Sequence, residues 1–263
     1  MDLGLKGRVA IVAASSQGLG KAIAMGLARE GAILALCARN DATLQATGEE
    51  IRHEAGAEVF ARAIDVTVYE DVRRFVRDTA ARFGRVDICL ANAGGPPSKS
   101  FEETTIEDWH KAAELNLMST VYLAKETLPL MRERRWGRFI ALTSMTVKQP
   151  VEGLVLSNSV RSAVSGLVKT LANEYGPYNV LVNSVCPGYI ATARLLSLTG
   201  TLAEKHGVER RAIEERWAKQ AALGRIGQPE EFANLVVFLA SERASYITGT
   251  AIQVDGGTVK GLY

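Results

Sequence analysis

The chain has 263 residues, 47% of them hydrophobic, and its 31 basic and 29 acidic side chains leave a net charge of +2. So even a balance excludes the clustered basic face that nucleic-acid binding needs, and no apolar run approaches the ~20 residues that cross a bilayer. The N-terminus shows no charged-then-apolar signal segment, and Cys37, Cys89 and Cys186 sit in apolar, strand-like runs. They read as core thiols of a reducing compartment, so the expectation is a soluble cytoplasmic protein.

Short apolar runs alternate with longer amphipathic ones. Arg8–Ala13 reads as a strand, Gly18–Glu30 as a helix, Ile33–Cys37 as a strand and Asp41–Ala55 as a helix. Glu58–Ala63 (strand), Tyr69–Phe83 (helix) and Asp87–Ala91 (strand) follow. Later strands are predicted at Arg138–Thr143, Val180–Val185 and Ala251–Val254, and helices at Ile106–Arg134, Val155–Glu174, Thr201–Ala222 and Glu230–Ser241. Strands apolar on both faces and separated by helices predict a parallel sheet covered on both sides. Right-handed crossovers make it a doubly wound, Rossmann-type α/β fold. No linker or low-complexity stretch divides residues 1–263, which predicts one domain. The long stretch 189–225, rich in Leu, Glu, Arg and Lys, departs from the compact rhythm and reads as a helical lid over a binding site.

Chemistry enters at the first strand–helix junction, Ala13-Ala14-Ser15-Ser16-Gln17-Gly18-Leu19-Gly20. Glycines there let backbone approach a pyrophosphate, and the helix N-terminus offers free N–H groups and a positive dipole end. The loop resembles the T-G-x-x-x-G-x-G loop of the short-chain dehydrogenase/reductase family, with Ala13 and Ala14 in place of the leading Thr-Gly. Further matches follow in order: Asp65-Val66, Asn92-Ala93-Gly94, Asn116, Pro187-Gly188-Tyr189-Ile190-Ala191-Thr192, and Ile247-Thr248-Gly249 through Val254-Asp255-Gly256-Gly257.

The resemblance implies a nicotinamide dinucleotide held by residues 14–20, with Asp65 and Val66 at the adenine. It also places Asn92, Ala93 and Gly94 along the ribose, and Pro187, Gly188, Ile190 and Thr192 around the nicotinamide. For Asp65 a strand-end cap is the structural alternative, and Asn92 can serve chiefly to support the central strands. Where an NAD site wants a carboxylate for the ribose 2′-hydroxyl, the chain has Ala38 followed by Arg39, and a guanidinium pairs with a 2′-phosphate in forked fashion. NADP(H) is therefore expected over NAD(H). Against this, Arg39 can instead face solvent, and Gln17 stands where many NADP-preferring relatives carry a second basic residue.

In the family a tyrosine protonates the carbonyl oxygen, a lysine tunes it, a serine orients the substrate and an asparagine holds a relay water. Asn116 and Ser144 match the last two roles. The tyrosine and lysine positions fall on Ser157 and Arg161, so these four residues are the catalytic candidates. An aliphatic hydroxyl lacks the phenol's accessible pKa of ~10, and arginine keeps its proton. A tyrosine-type mechanism is therefore not expected at this site. Three alternatives remain: a water held by Ser157, Asn116 and Arg161; a proton from Tyr189 or Lys148; or no turnover. The first two give an NADP(H)-dependent oxidoreductase of a carbonyl or secondary alcohol, similar to the 3-oxoacyl-acyl-carrier-protein reductases. The third gives a silent nucleotide-binding sensor.

Lesser features complete the reading. Arg132, Arg134, Arg135 and Arg138 cluster near a helix end; solvated charge there competes with docking of an acyl carrier protein. His53, His110 and His206 lack metal-ligand spacing, and no metal is predicted. Trp217 and the leucines near Leu195 are expected on the apolar side of the lid, which suits a partly hydrophobic small-molecule substrate. Ser159, Ser162, Ala163 and Gly166 suit close helix packing, either against the sheet or, as the resemblance implies, in a homotetramer.

Overall fold

The computed structural model describes residues 2–262. Seven strands, β1 (Val9–Ala13), β2 (Ile33–Ala38), β3 (Val59–Ala63), β4 (Ile88–Ala91), β5 (Gly137–Leu142), β6 (Val180–Pro187) and β7 (Ala251–Val254), form one parallel sheet in the order β3-β2-β1-β4-β5-β6-β7. The strand order reverses between β1 and β4. There the crossovers diverge to opposite faces and leave a crevice at the carboxyl ends, the usual ligand position of open α/β sheets.

Strand side chains alternate faces, and the core divides accordingly. Val12, Leu34, Leu36, Leu90 and Ile140 pack under helices α1 (Gly18–Arg29), α2 (Asp41–Ala55) and α9 (Pro229–Leu239). Ile11, Ala35, Cys37, Cys89 and Phe139 pack under α3 (Tyr69–Phe83), α5 (Ser119–Glu133) and α6 (Val155–Tyr175). All three cysteines are buried and free.

Two predicted helices are interrupted. The stretch expected as one helix from Ile106 to Arg134 comprises α4 (Ile106–Ala112), a π-helical segment Ala113–Met118, and α5. The wider turn carries Asn116, and periodicity alone does not reveal it. Residues 201–222 are likewise not continuous. Helix α7 (Ala193–His206) ends at Gly207, whose φ is 63°, and α8 (Arg210–Gln220) starts afresh. A left-handed residue stops a helix, and Gly207 was the available signal. Leu195, Ala203, Ile213 and Trp217 join α7 and α8 in a small core of their own.

The basic cluster is only partly a surface. Arg138 is 1% exposed, stacks on Trp136 and donates from Nε to the Ser241 carbonyl and from Nη1 to that of Gly137. Its burial overturns the expectation of a solvated cation. The cluster stands at the amino end of β5, about 20 Å along that six-residue strand from the carboxyl-end crevice. A carrier docked on it would face away from the crevice. On α6, Leu156, Val160, Val164 and Val168 are buried, whereas Ser159, Ser162, Ala163 and Gly166 are exposed. A Cβ on Gly166 would meet nothing within 4 Å, so packing of this small-residue face on the sheet is overturned too.

Candidate active site

A cavity of about 790 Å³ opens along the carboxyl ends of the strands, a size typical of ligand sites. Every site residue nominated from sequence lines it except Ser15 and Asn116.

At one end lies the glycine turn. Ala14 adopts φ 50°, the left-handed region glycine prefers, which explains the family's glycine at this place. A Cβ on Gly20 would stand 2.2 Å from the Ala14 carbonyl oxygen. The turn is fastened from three sides. Ser15 donates from both N and Oγ to the Cys37 carbonyl, Thr47 Oγ1 donates to the Ser16 carbonyl, and Asn92 Nδ2 reaches the Ala13 carbonyl at 3.3 Å. The Ser15 side chain is fully buried against β2 and serves the turn, not the cavity. Asn92 combines support of the turn with a place in the cavity wall. Helix α1 has no side-chain cap on its N-terminus. Its first N–H groups, at cavity-lining Gly18, Leu19 and Gly20, are therefore available to an anion.

Arg39 follows the last residue of β2, is exposed and lines the cavity. Asn40 caps α2 by accepting from Thr43 N at 3.0 Å. Asp65 turns Oδ1 onto Thr67 N and Oγ1 at 2.9 and 2.8 Å. The capping alternative thus holds for one carboxylate oxygen, and the residue still borders the cavity. Thr192 caps α7 by accepting from Leu195 N at 3.3 Å and stands beside Gly18. A dinucleotide fits this donor set: uncapped helix N–H groups for phosphate, a cation beyond β2, and polar groups at the intervening strand ends.

At the other end, Ser144 Oγ accepts from Thr146 N at 3.2 Å, which leaves its own hydrogen free to donate. Ser157 Oγ lies 3.3 Å from Thr146 Oγ1. Arg161, one helical turn further along α6, is 9% exposed. It donates from Nη1 to the Leu142 and Thr143 carbonyls (2.9 and 3.2 Å) and from Nη2 to the Gly94 carbonyl (3.1 Å). Burial, reinforced by the positive charge of Arg194, pushes its pKa down to about 10. It therefore remains a cation at neutral pH.

Asn116 does not reach the cavity. Its Nδ2 donates to the same Gly94 carbonyl at 2.7 Å, and its buried Oδ1 has no partner among the described residues. It acts behind the wall. Tyr189 does line the cavity, but its hydroxyl donates to Gln220 at 3.1 Å and its ring stacks on Trp217 at 4.6 Å. Burial raises its pKa above the usual phenol value, and the hydroxyl hydrogen is given to Gln220 in place of the cavity. Lys148 lies outside the cavity wall. Sequence reasoning missed Thr146 and Arg194. Arg194 had a signal: a cation in the first turn of a helix opposes its dipole.

The chain is similar to known proteins over nearly its whole length. The family model described as enoyl-(acyl carrier protein) reductase matches residues 13–259. The chain is 34% identical over 257 residues to the 3-oxoacyl-[acyl-carrier-protein] reductase FabG of Aquifex aeolicus, with 98% of this chain and 99% of the relative covered. L-sorbose reductase from Gluconobacter frateurii, solved with NADPH and L-sorbose, superposes with TM-score 0.94 at 36% identity over 100% of both chains. A 7α-hydroxysteroid dehydrogenase solved with NADH and a 7-oxo bile acid gives TM-score 0.90 at 30% identity, covering 100% of this chain and 98% of that one. The chain belongs to the short-chain dehydrogenase/reductase family and is an oxidoreductase.

Proposed function

We propose that the protein is an NADP(H)-dependent reductase of a carbonyl, or in reverse a dehydrogenase of a secondary alcohol, whose proton relay uses hydroxyls where the family uses tyrosine. The observation that carries this reading is the pairing of a complete dinucleotide cradle with a reaction end holding Ser144, Ser157, Thr146 and Arg161 and no free phenol. In this reading residues 1–263 act as one domain, and the stretch 189–225, which holds α7 and α8, is its lid.

When bound, NADPH supplies hydride to the substrate carbon. Ser144, whose hydroxyl hydrogen is uncommitted, positions the carbonyl oxygen. In the Ser157–Thr146 pair one hydroxyl donates to the other, leaving a second hydrogen free to protonate that oxygen and be replenished from solvent. Arg161 places a desolvated positive charge where negative charge develops. Asn116 holds the Gly94 carbonyl that Arg161 also grips.

A screen of ketones with NADPH and of secondary alcohols with NADP⁺, followed at 340 nm, tests the reading; silence across a broad panel overturns it. The rival, a nucleotide sensor without turnover, draws on Arg161's use as a staple between three backbone carbonyls. The double change Ser157→Tyr with Arg161→Lys separates the two. Activity created in a silent native chain supports the sensor, whereas activity lost from a working chain supports the hydroxyl relay.

The NADP preference rests on exposed Arg39 beyond Ala38, and on relatives such as the NADPH-bound sorbose reductase. Arg39→Ala is expected to weaken NADPH about tenfold in Kd, with little change for NADH, as loss of one charge-assisted phosphate contact implies. Assembly is the remaining proposal. The exposed small-residue face of α6 suits a second copy in a homotetramer, so light scattering should give a mass near four chains at micromolar concentration. A monomer would contradict it. The proposed setting is the cytoplasm; no helix among the described residues is long and apolar enough to cross a membrane.

A further inference from the structure

Arg161 and Arg194 both reach the glycine pair Gly94-Gly95 in the cavity wall. Arg161 donates to the Gly94 carbonyl. Arg194 lies against Gly95, its Nε and Nη2 3.1 Å from where a Cβ would stand, and its Nη2 donates to the Pro96 carbonyl at 2.5 Å. Both line the cavity; burial lowers the pKa of each, the charge of Arg194 adds to that lowering at Arg161, and no carboxylate offsets either. Asp65, the one acid among the described lining residues, is held by Thr67 at the end of β3. That is four strand spacings from β5, about 19 Å. Arg194 also sits in the first turn of α7, where the helix dipole disfavours a cation. Two guanidiniums at one cavity end, one of them nine-tenths buried, lack a counter-charge that the protein itself does not provide.

We propose that this end of the cavity takes the oxyanion of the substrate, a carboxylate or phosphate, with Arg194 as the residue that selects it. Nε and Nη1 of Arg194 make no hydrogen bond to the described residues, and Nη2 keeps a second hydrogen besides the one it gives to Pro96, so the planar fork retains donors that match either anion. Arg161, already committed to backbone carbonyls, contributes charge. The substrate class is then an oxo acid or a phosphorylated ketone, not a neutral ketone. This inference rests on the reductase reading above.

The test starts by titrating the protein with NADPH, which checks that reading by itself. The NADP⁺-loaded protein, which has no hydride to transfer to a ketone, is then titrated calorimetrically with matched pairs. Pyruvate, acetoacetate and levulinate are set against their methyl esters, and dihydroxyacetone phosphate against dihydroxyacetone. At least one anion should bind about tenfold or more tightly than its neutral partner, and which pair does so tells carboxylate from phosphate. In Arg194→Gln that preference should disappear while NADPH affinity holds. If no pair favours the anion, or if Arg194→Gln weakens NADPH instead, the assignment is overturned, the latter because the arginine then serves the cofactor's own diphosphate.

Discussion

Gly20→Ala is expected to weaken NADPH binding by about 100-fold or more, close to 2.7 kcal/mol. The new Cβ would lie 2.2 Å from the Ala14 oxygen, 2.9 Å from its carbonyl carbon and 3.0 Å from Ser15 Cα. All three are backbone atoms, so no side chain can swing aside. The turn cannot retreat either, because Ser15 is bound to Cys37, Ser16 to Thr47 and Ala13 to Asn92. The strain must therefore move the amino end of α1, whose N–H groups are the phosphate donors. Overpacking of this kind costs about 1–3 kcal/mol of stability, so the protein should remain folded while calorimetry loses the NADPH signal. Gly176→Ala is the control. A Cβ there meets nothing within 4 Å, and both stability and affinity should match the native chain. Native-like NADPH affinity in Gly20→Ala would mean that the dinucleotide lies elsewhere.

The rate of carbonyl reduction should be nearly independent of pH from 6 to 9. A family tyrosine tuned by lysine would give a break in this range, because an efficient acid has its pKa near the working pH. Here the reaction end offers hydroxyls, which do not titrate in water, and Arg161, a cation until pH approaches about 10. Tyr189 is shifted above the ordinary phenol value and is bound to Gln220. No His, Cys, Lys or Glu lines the cavity among the described residues. The sign follows from Arg161: an exposed arginine keeps its proton at any working pH, but burial beside Arg194 lowers this one to about 10, so its charge stabilises developing negative charge below about 10 and is lost above it. Activity should then fall about tenfold for each further pH unit, as expected for titration of one essential group. A rate profile with saturating NADPH checks this, with NADPH binding followed in parallel. A break between pH 6 and 9 would reveal an acid that this cavity does not hold.

The parts of the fold legible in sequence were those governed by local rules. Alternating apolar strands and amphipathic helices revealed the parallel sheet, because each strand had to be apolar on both faces. The Ser15–Gly20 turn revealed the phosphate cradle, because backbone approach demands glycine at Gly20. What remained hidden depended on long-range packing. Arg138 reads as a surface charge beside other arginines, yet its stack on Trp136 and its bond to the Ser241 carbonyl come from distant segments. Asn116 was placed at the site by motif, but the π-helical turn carries its amide behind Gly94. Arg161 was assigned by register, while its grip on Leu142, Thr143 and Gly94 depends on how α6 meets β5. Thr146 becomes part of the relay only through Ser157, 11 residues on. Tyr189, attractive as a phenol near the site, is occupied by a residue of α8.

Titration of the native protein with NADPH and, separately, with NADH by calorimetry weighs most directly on the cradle at Ala14–Gly20 and its partner Arg39. Saturable binding of one dinucleotide per chain is predicted, tighter for NADPH by about tenfold. Binding of neither cofactor at millimolar concentration would contradict the account.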